Sequence, residues 1–202
     1  MKQVGGHTTM KQRNGVMSEE DSWEELWDAR VKGMEQSFGP HDETVLHGTI
    51  PFHLGQDLGG NPDVVMFSKY TDGRLYVTAD LIGSEQAPNS AGNYELAVVH
   101  KGDESWGVNI ICQLAYYTLE NPIDDGETMS IGSATPEGSS IEAFLFRRIA
   151  EFNVQDIKAN VICCIGITSP ELAYKQKNGS AALVKKLGNE FLLTDLYRAS
   201  KI

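Results

Sequence analysis

Between Trp106 and Gly132 the chain reads WGVNIICQLAYYTLENPIDDGETMSIG. The segment from Trp106 to Glu120 is apolar on most sides, which predicts a well-buried helix with Ser105 as its cap and Pro122 as its stop. The β-branched residues Val108, Ile110 and Ile111 lower its intrinsic propensity, so tertiary packing must hold it. An acidic turn, Asp124–Asp125–Gly126–Glu127, and a short strand, Thr128–Ile131, follow.

The flanks supply the sheet. Tyr94–His100 (YELAVVH) predicts a strand with Tyr94, Leu96, Val98 and His100 on one face. Val161–Ile167 (VICCIGI) is a continuous apolar run, the pattern of a central strand covered on both faces. Asp72–Gly73 reads as a hairpin turn between Val64–Phe67 and the alternating run Arg74–Ile82. Ile141–Ile149 fits a strand or a short helix equally well. Thr44–Ile50 has a weak strand pattern.

Upstream, Ser22-x-x-Glu25 fits a capping box. Trp23, Trp27, Val31 and Met34, with Leu26 beside them, then mark one face of a helix that Gly39–Pro40 ends. Downstream, Ser169 is placed to cap a helix with Pro170 at its first position, closed by Asn178–Gly179. Ser180–Leu187 forms a second helix, and Leu192–Arg198 closes the chain. Strands and helices without strict alternation predict an α+β fold, a mixed sheet flanked by helices. No repeat or interdomain linker interrupts it. Residues 1–17 read as a flexible leader, and 18–202 as one domain.

The chain has 202 residues, with 41% hydrophobic and 22% charged side chains, enough for a full core without staples. Seventeen basic against 28 acidic residues give a net charge of −11. That balance argues against nucleic acid and anionic membrane surfaces, and suits a basic protein partner. No apolar run is long enough to span a bilayer and no signal segment opens the chain, so a cytoplasmic location is expected. Cys112, Cys163 and Cys164, all in apolar runs, read as buried reduced thiols.

Catalytic motifs are incomplete. Gly55, Gly59 and Gly60 precede a strand rather than a helix, the wrong context for a phosphate loop. Gly132–Ser133 and Gly138–Ser139–Ser140 lack the frame of a nucleophile elbow. His41, His47 and His53, six apart, match no common zinc spacing. His100 reads as a packed or hydrogen-bonded histidine. Asp80 reads as a structural polar anchor whose donors come from the loop around Asn89. No metal and no cofactor are expected.

Several runs, in order, resemble the suppressor-of-fused family. They are Trp23–Phe38, Gly59–Phe67, Tyr76–Gly83, Asn89–Ser90 with Tyr94–Leu96, Trp106 with Leu114–Tyr117, Gly126–Thr128, Ile131–Gly132, Ile165–Thr168, Glu171–Leu172 and Thr194–Arg198. The closest pattern is that of the compact bacterial members. The resemblance implies a non-enzymatic, protein-binding α+β domain. Animal relatives hold Gli-type transcription factors through an extended peptide clamped between this domain and a C-terminal one. With the chain ending at Ile202, that clamp is not expected here. Bacterial members include immunity proteins against polymorphic toxins, so the partner class implied is another protein, a basic toxin domain among them. The partner-binding candidates are Tyr116 and Tyr117 on the helix, Glu127 in the acidic turn, and Asp195 and Arg198 near the end. Core packing is the alternative for the tyrosines, and for Asp195 and Arg198 the alternatives are mutual pairing or fixing the C-terminus to the sheet. A homodimer without a toxin partner, and a hydrolase or metal enzyme built on Asp80 and His100, are the rival readings.

Overall fold

The structure, a computed structural model, describes residues 19–48, 63–83, 92–101, 104–118 and 121–202. The leader assigned to 1–17, the glycines Gly55, Gly59 and Gly60, His53 and the loop holding Asn89 lie outside these residues. The described elements are α1 (Glu19–Phe38), β1 (Leu46–His47), β2 (Asp63–Phe67), β3 (Arg74–Thr78), β4 (Asn93–His100), α2 (Glu104–Thr118), β5 (Thr128–Ser130), β6 (Ile141–Val154), β7 (Ile157–Thr168), α3 (Ser169–Asn178), α4 (Ser180–Leu187) and β8 (Leu193–Thr194). The strands form one sheet in the order β1-β2-β3-β4-β7-β6-β5, with β8 added to β4. β4 runs parallel to β7 and β8, and the other pairs are antiparallel. The mixed sheet flanked by helices is the architecture that the sequence predicts.

The apolar run 161–167 is central because it has strands on both sides. Alternate side chains divide between two cores. Val161, Cys163, Ile165 and Ile167 join α1 and α4 on one face, while Ile162 and Cys164 join α2 on the other. All three cysteines are free and buried. The ambiguous segment 141–149 is strand, the start of the long β6. Pairing with β7 along its whole length decides what periodicity left open.

Four boundaries differ from expectation. Ser22 lies inside α1 rather than capping it, and Ser105 lies inside α2. β3 ends at Thr78, four residues early, because the backbone turns there onto buried charged side chains instead of a neighbouring strand. Thr168, not Ser169, is the N-cap of α3, in a capping box with Glu171. Trp23, assigned to the apolar face of α1, is exposed and stacks on Trp27 at 5.9 Å, so that face is buried only from Arg30 onward.

Two glycines mark close approaches. A Cβ on Gly33 would clash with the Phe152 ring, so α1 lies tight on β6 because this position of the helix carries no side chain. Gly166 serves the tail. β4 and β7 pair from Asn93/Ala159 to Ala97/Cys163, and beyond that β4 pairs with β8 at Val99/Leu193 and His100/Thr194. The tail thus occupies the gap where β4 and β7 part. The Gly166 N–H donates to Thr194 Oγ1 at 2.8 Å, and Arg198 Nη2 donates to the Gly166 carbonyl at 3.0 Å.

A Cβ on Gly166 would meet Thr194 Cγ2 at 2.6 Å and Ile141 Cγ2 at 3.0 Å. Gly166→Ala is therefore expected to cost about 1–3 kcal/mol through overpacking. Denaturant unfolding measures the loss. Hydrogen exchange should show faster exchange concentrated in residues 193–199, and a uniform change across the sheet would contradict this role for the tail.

Candidate functional site

At the far edge of the sheet a groove of about 440 Å³ runs between the end of α2, the acidic turn, β5 and α3. Its apolar lining includes Pro122, Ile123, Met129 and Phe146, with Tyr117, Glu127 and Lys175 around them. Each wall has a local cause. Pro122 follows the last described turn of α2, and Ile123 turns inward because its N–H donates to the buried Tyr94 hydroxyl at 3.2 Å. The acidic turn is pinned to β6. Gly126, at φ 84°, donates its N–H to the Phe146 carbonyl at 2.8 Å, and Phe146 N–H donates back to the Glu127 carbonyl at 3.0 Å. Asp125 Oδ1 accepts from Arg147 Nε at 3.0 Å and from the Arg148 N–H at 2.8 Å. On the α3 side, Ser180 Oγ donates to the Gly126 carbonyl at 2.8 Å.

Tyr116 and Tyr117 are 57% and 45% exposed, Glu127 is exposed, and Glu127 Oε2 accepts the Asp124 N–H at 3.0 Å. The fold thus brings Tyr117 and Glu127 together in one groove. Tyr116 stands beside it on the outer side of α2. The paired arginines Arg147 and Arg148 are neutralised by Asp125 and Glu151.

Asp195 and Arg198 lie elsewhere, on a smaller concavity of about 340 Å³ beside the tail. They do not join their side chains. Asp195 Oδ1 accepts the Tyr197 N–H at 3.0 Å. Arg198 donates to both oxygens of Glu171, each at 2.6 Å. Glu171 is fully buried and also accepts the N–H groups of Thr168 (2.9 Å) and Lys201 (2.9 Å). Burial alone would raise its pKa, but the Arg198 pair and the two N–H donors outweigh it and hold the carboxyl below its usual range. Sequence reasoning did not pair Glu171 with Arg198, since no local pattern links the two.

A second buried polar cluster was also missed. Glu95, fully buried on β4, accepts from the Thr78 hydroxyl (2.6 Å) and the N–H groups of Leu81 (3.2 Å) and Ile82 (2.8 Å). Arg30 reaches from α1 to the carbonyls of Ile82 (2.6 Å) and Ala79 (3.0 Å). Asp80 stands 3.9 Å from Arg30 and accepts the Asp63 N–H at 2.6 Å. Its expected donor loop around Asn89 lies outside the described residues. The signal was present as a lone carboxylate in the apolar run of β4. Burial pushes the Glu95 carboxyl up to about 7, against the pull of Arg30, the Ile82 N–H and the Thr78 hydroxyl.

Asp80 and His100 fall at opposite ends of β3, since His100 pairs with Arg74. His100 Nδ1 donates to the Thr194 carbonyl at 3.1 Å, and the ring packs against Trp106 at 5.1 Å. Among the described residues no group of three or more His, Cys, Asp or Glu side chains is placed to hold a metal ion. Burial raises the pKa of every thiol, to about 12 for Cys112 and Cys163, so none supplies a thiolate near neutrality. Among the described residues no helix is long and apolar enough to cross a membrane.

The family model for the suppressor of fused protein (SUFU) matches residues 63–199. The chain belongs to the suppressor-of-fused family. Among solved structures, the chain is similar to a homologue of suppressor of fused from Neisseria gonorrhoeae FA 1090, at 17% identity and a TM-score of 0.62, over 89% of this chain and 98% of that one. A chain in a Sufu–Fu complex matches at 13% identity and a TM-score of 0.65, over 87% and 91%. Drosophila Suppressor of Fused matches at 12% identity and a TM-score of 0.53, over 70% of this chain and 39% of that one. At such identities the likeness is one of fold. No curated protein sequence matches the chain. The family match begins at β2, so α1, with its Arg30 contacts, lies outside it.

Two measurements follow from the buried carboxylates. Arg198→Ala leaves Glu171 buried without its cation and should cost about 3–5 kcal/mol in denaturant unfolding. The double variant Glu171→Gln/Arg198→Met should cost less. For Glu95 the folded pKa exceeds the unfolded one. Its contribution is therefore fully present below pH 4.5 and lost as pH rises to about 7, a change on the order of 3 kcal/mol. Glu95→Gln should remove that falling limb from a plot of stability against pH. An unchanged slope between pH 4.5 and 7 would mean that Glu95 titrates normally.

Proposed function

We propose that this chain is a non-enzymatic protein-binding module that takes an extended segment of a partner protein into the groove along β5. The observation that carries this reading is the groove itself. It joins apolar side chains, among them Met129, to an exposed tyrosine and a carboxylate beside an edge strand. β5 pairs with β6 on one side, and among the described residues no strand pairs with its other side. An edge strand offers backbone N–H and C=O groups for strand addition, and a neighbouring apolar pocket adds side-chain selectivity. Tyr117 has the large area and low conformational entropy typical of residues that dominate binding. Membership of the suppressor-of-fused family supports the protein-binding class, and a solved relative was captured in a Sufu–Fu complex.

The net charge of −11 favours a basic partner, because opposite potentials speed and orient association. A basic toxin domain that this protein neutralises is the partner class we assign. Tyr116 extends the contact beyond the groove, while Asp195 and Arg198 border a separate surface whose shape depends on the tail.

Co-expression with the product of any neighbouring toxin gene tests the assignment. Wild-type chain should restore growth and co-purify with the toxin. Tyr117→Ala should weaken the complex by about 2 kcal/mol or more, some thirtyfold in Kd by titration calorimetry. Because Tyr117 is exposed, thermal unfolding should change little. Equal affinity for wild type and Tyr117→Ala would move the interface off this groove.

A further inference from the structure

Lys175 is the cation of the groove, and its surroundings are unusual for this chain. It is half-buried, yet the contact it makes is to Thr128 Oγ1 at 3.5 Å, the outer limit of a hydrogen bond. Among the described residues no carboxylate lies within ion-pair distance of it. Arg147, Arg148 and Arg198 each hold a carboxylate at 3.0 Å or closer. Lys32, Lys69, Lys158, Lys177, Lys185, Lys186 and Lys201 are exposed and keep their water. Lys175 alone among the described lysines is partly dehydrated, in a chain with a large excess of acid. Compensation of the α3 dipole does not require it there, since Lys177 occupies the same last turn in full solvent.

We propose that Lys175 makes the groove selective for a partner segment that carries a carboxylate side chain at the position lying against Thr128. This inference rests on the groove being the binding surface. Ammonium and carboxylate would meet beside Ile123, Met129 and Phe146, where Lys175 is already half-buried and a charge-assisted hydrogen bond is stronger than in bulk solvent. Glu127, with one oxygen taken by the Asp124 N–H, adds the opposite sign to the same groove. A bound segment therefore has a direction as well as a composition. Its acidic residue faces Lys175 and its donor faces Glu127, and reversal would place like charges together.

The test uses the full chain and a phage-displayed library of linear heptapeptides, panned in parallel against wild type, Lys175→Glu, Lys175→Met and Tyr117→Ala. Wild type should enrich peptides with Asp or Glu at one fixed spacing from an apolar residue. Lys175→Glu should enrich Lys or Arg at that same position. A synthetic peptide from the wild-type pool should bind Lys175→Glu and Lys175→Met about tenfold more weakly or worse, and its acid-to-lysine version should recover affinity for Lys175→Glu alone. Circular dichroism of the variants excludes misfolding, as the side chain lies outside both cores. An identical consensus from wild type and Lys175→Glu would overturn the role of Lys175 while leaving the groove intact. Enrichment that Tyr117→Ala retains unchanged would overturn the groove reading, and this inference with it.

Discussion

β4 and β7 run side by side only as far as Ala97 and Cys163, and what fills the gap beyond them organises much of the molecule. A strand buried on both faces cannot leave backbone polar groups unpaired, because each orphan costs about 1–3 kcal/mol. At Gly166 the tail meets that need with a hydroxyl from Thr194 and a guanidinium from Arg198. Arg198 is held in turn by Glu171, which closes the N-terminus of α3. The other end of α3 carries Lys175, and Ser180 just beyond it bonds the acidic turn. A chain of hydrogen bonds thus runs from the middle of the sheet through the tail to one wall of the groove. Glycine fits at position 166 without overpacking, since a Cβ would press on the Thr194 side chain.

The two buried glutamates show how the same desolvation leads to opposite outcomes. Both lose water completely. Glu171 receives a two-pronged arginine and two N–H groups, a donor set that more than replaces its hydration, so its charge is retained. Glu95 receives a hydroxyl and two N–H groups, while Arg30 spends its donors on carbonyls. The charge of Glu95 is felt but not contacted, and the proton is held to about pH 7. In exchange the turn after β3 has its N–H groups met from β4 and its carbonyls met from α1. It is a turn satisfied by side chains, which is why strand propensity in Arg74–Ile82 does not extend to the end of the alternating pattern.

Strong periodicity was legible, and long-range side-chain pairing was not. The central strand VICCIGI, the buried helix after Trp106 and the hairpin at Asp72–Gly73 each follow from patterns shorter than about fifteen residues. The helix caps slipped by a residue or more because Ser, Thr and Glu recur at several adjacent positions and only geometry selects among them. Segment 141–149 was ambiguous because a half-buried strand with a bulge between Arg148 and Ala150 breaks strict alternation. Of the candidate site, Tyr117 and Glu127 were named from the sequence, but their shared groove depends on β5 pairing with β6. Glu171 could not be matched to Arg198 from spacing, since the partners lie 27 residues apart with the rest of α3, α4 and β8 between them. Lys175 carried no local motif at all, and its significance comes from partial burial without a carboxylate.

Net charge and local charge act at different ranges, and this protein separates them. A field summed over the chain reaches about one Debye length, roughly 8 Å at physiological ionic strength, and sets how often a partner of opposite charge arrives. It cannot set register, because it averages over many exposed carboxylates. Register needs a charge whose position is fixed and whose solvent is partly removed. The arginines near the groove cannot supply it, being already neutralised by Asp125 and Glu151. Lys175 can, because α3 is anchored at its N-terminus by Glu171 and at its C-terminal side by Ser180. The same pinning that satisfies the sheet at Gly166 therefore fixes the point of opposite sign within an acidic surface. With the groove binding as proposed, attraction and discrimination reside in different residues, and a change in one leaves the other in place.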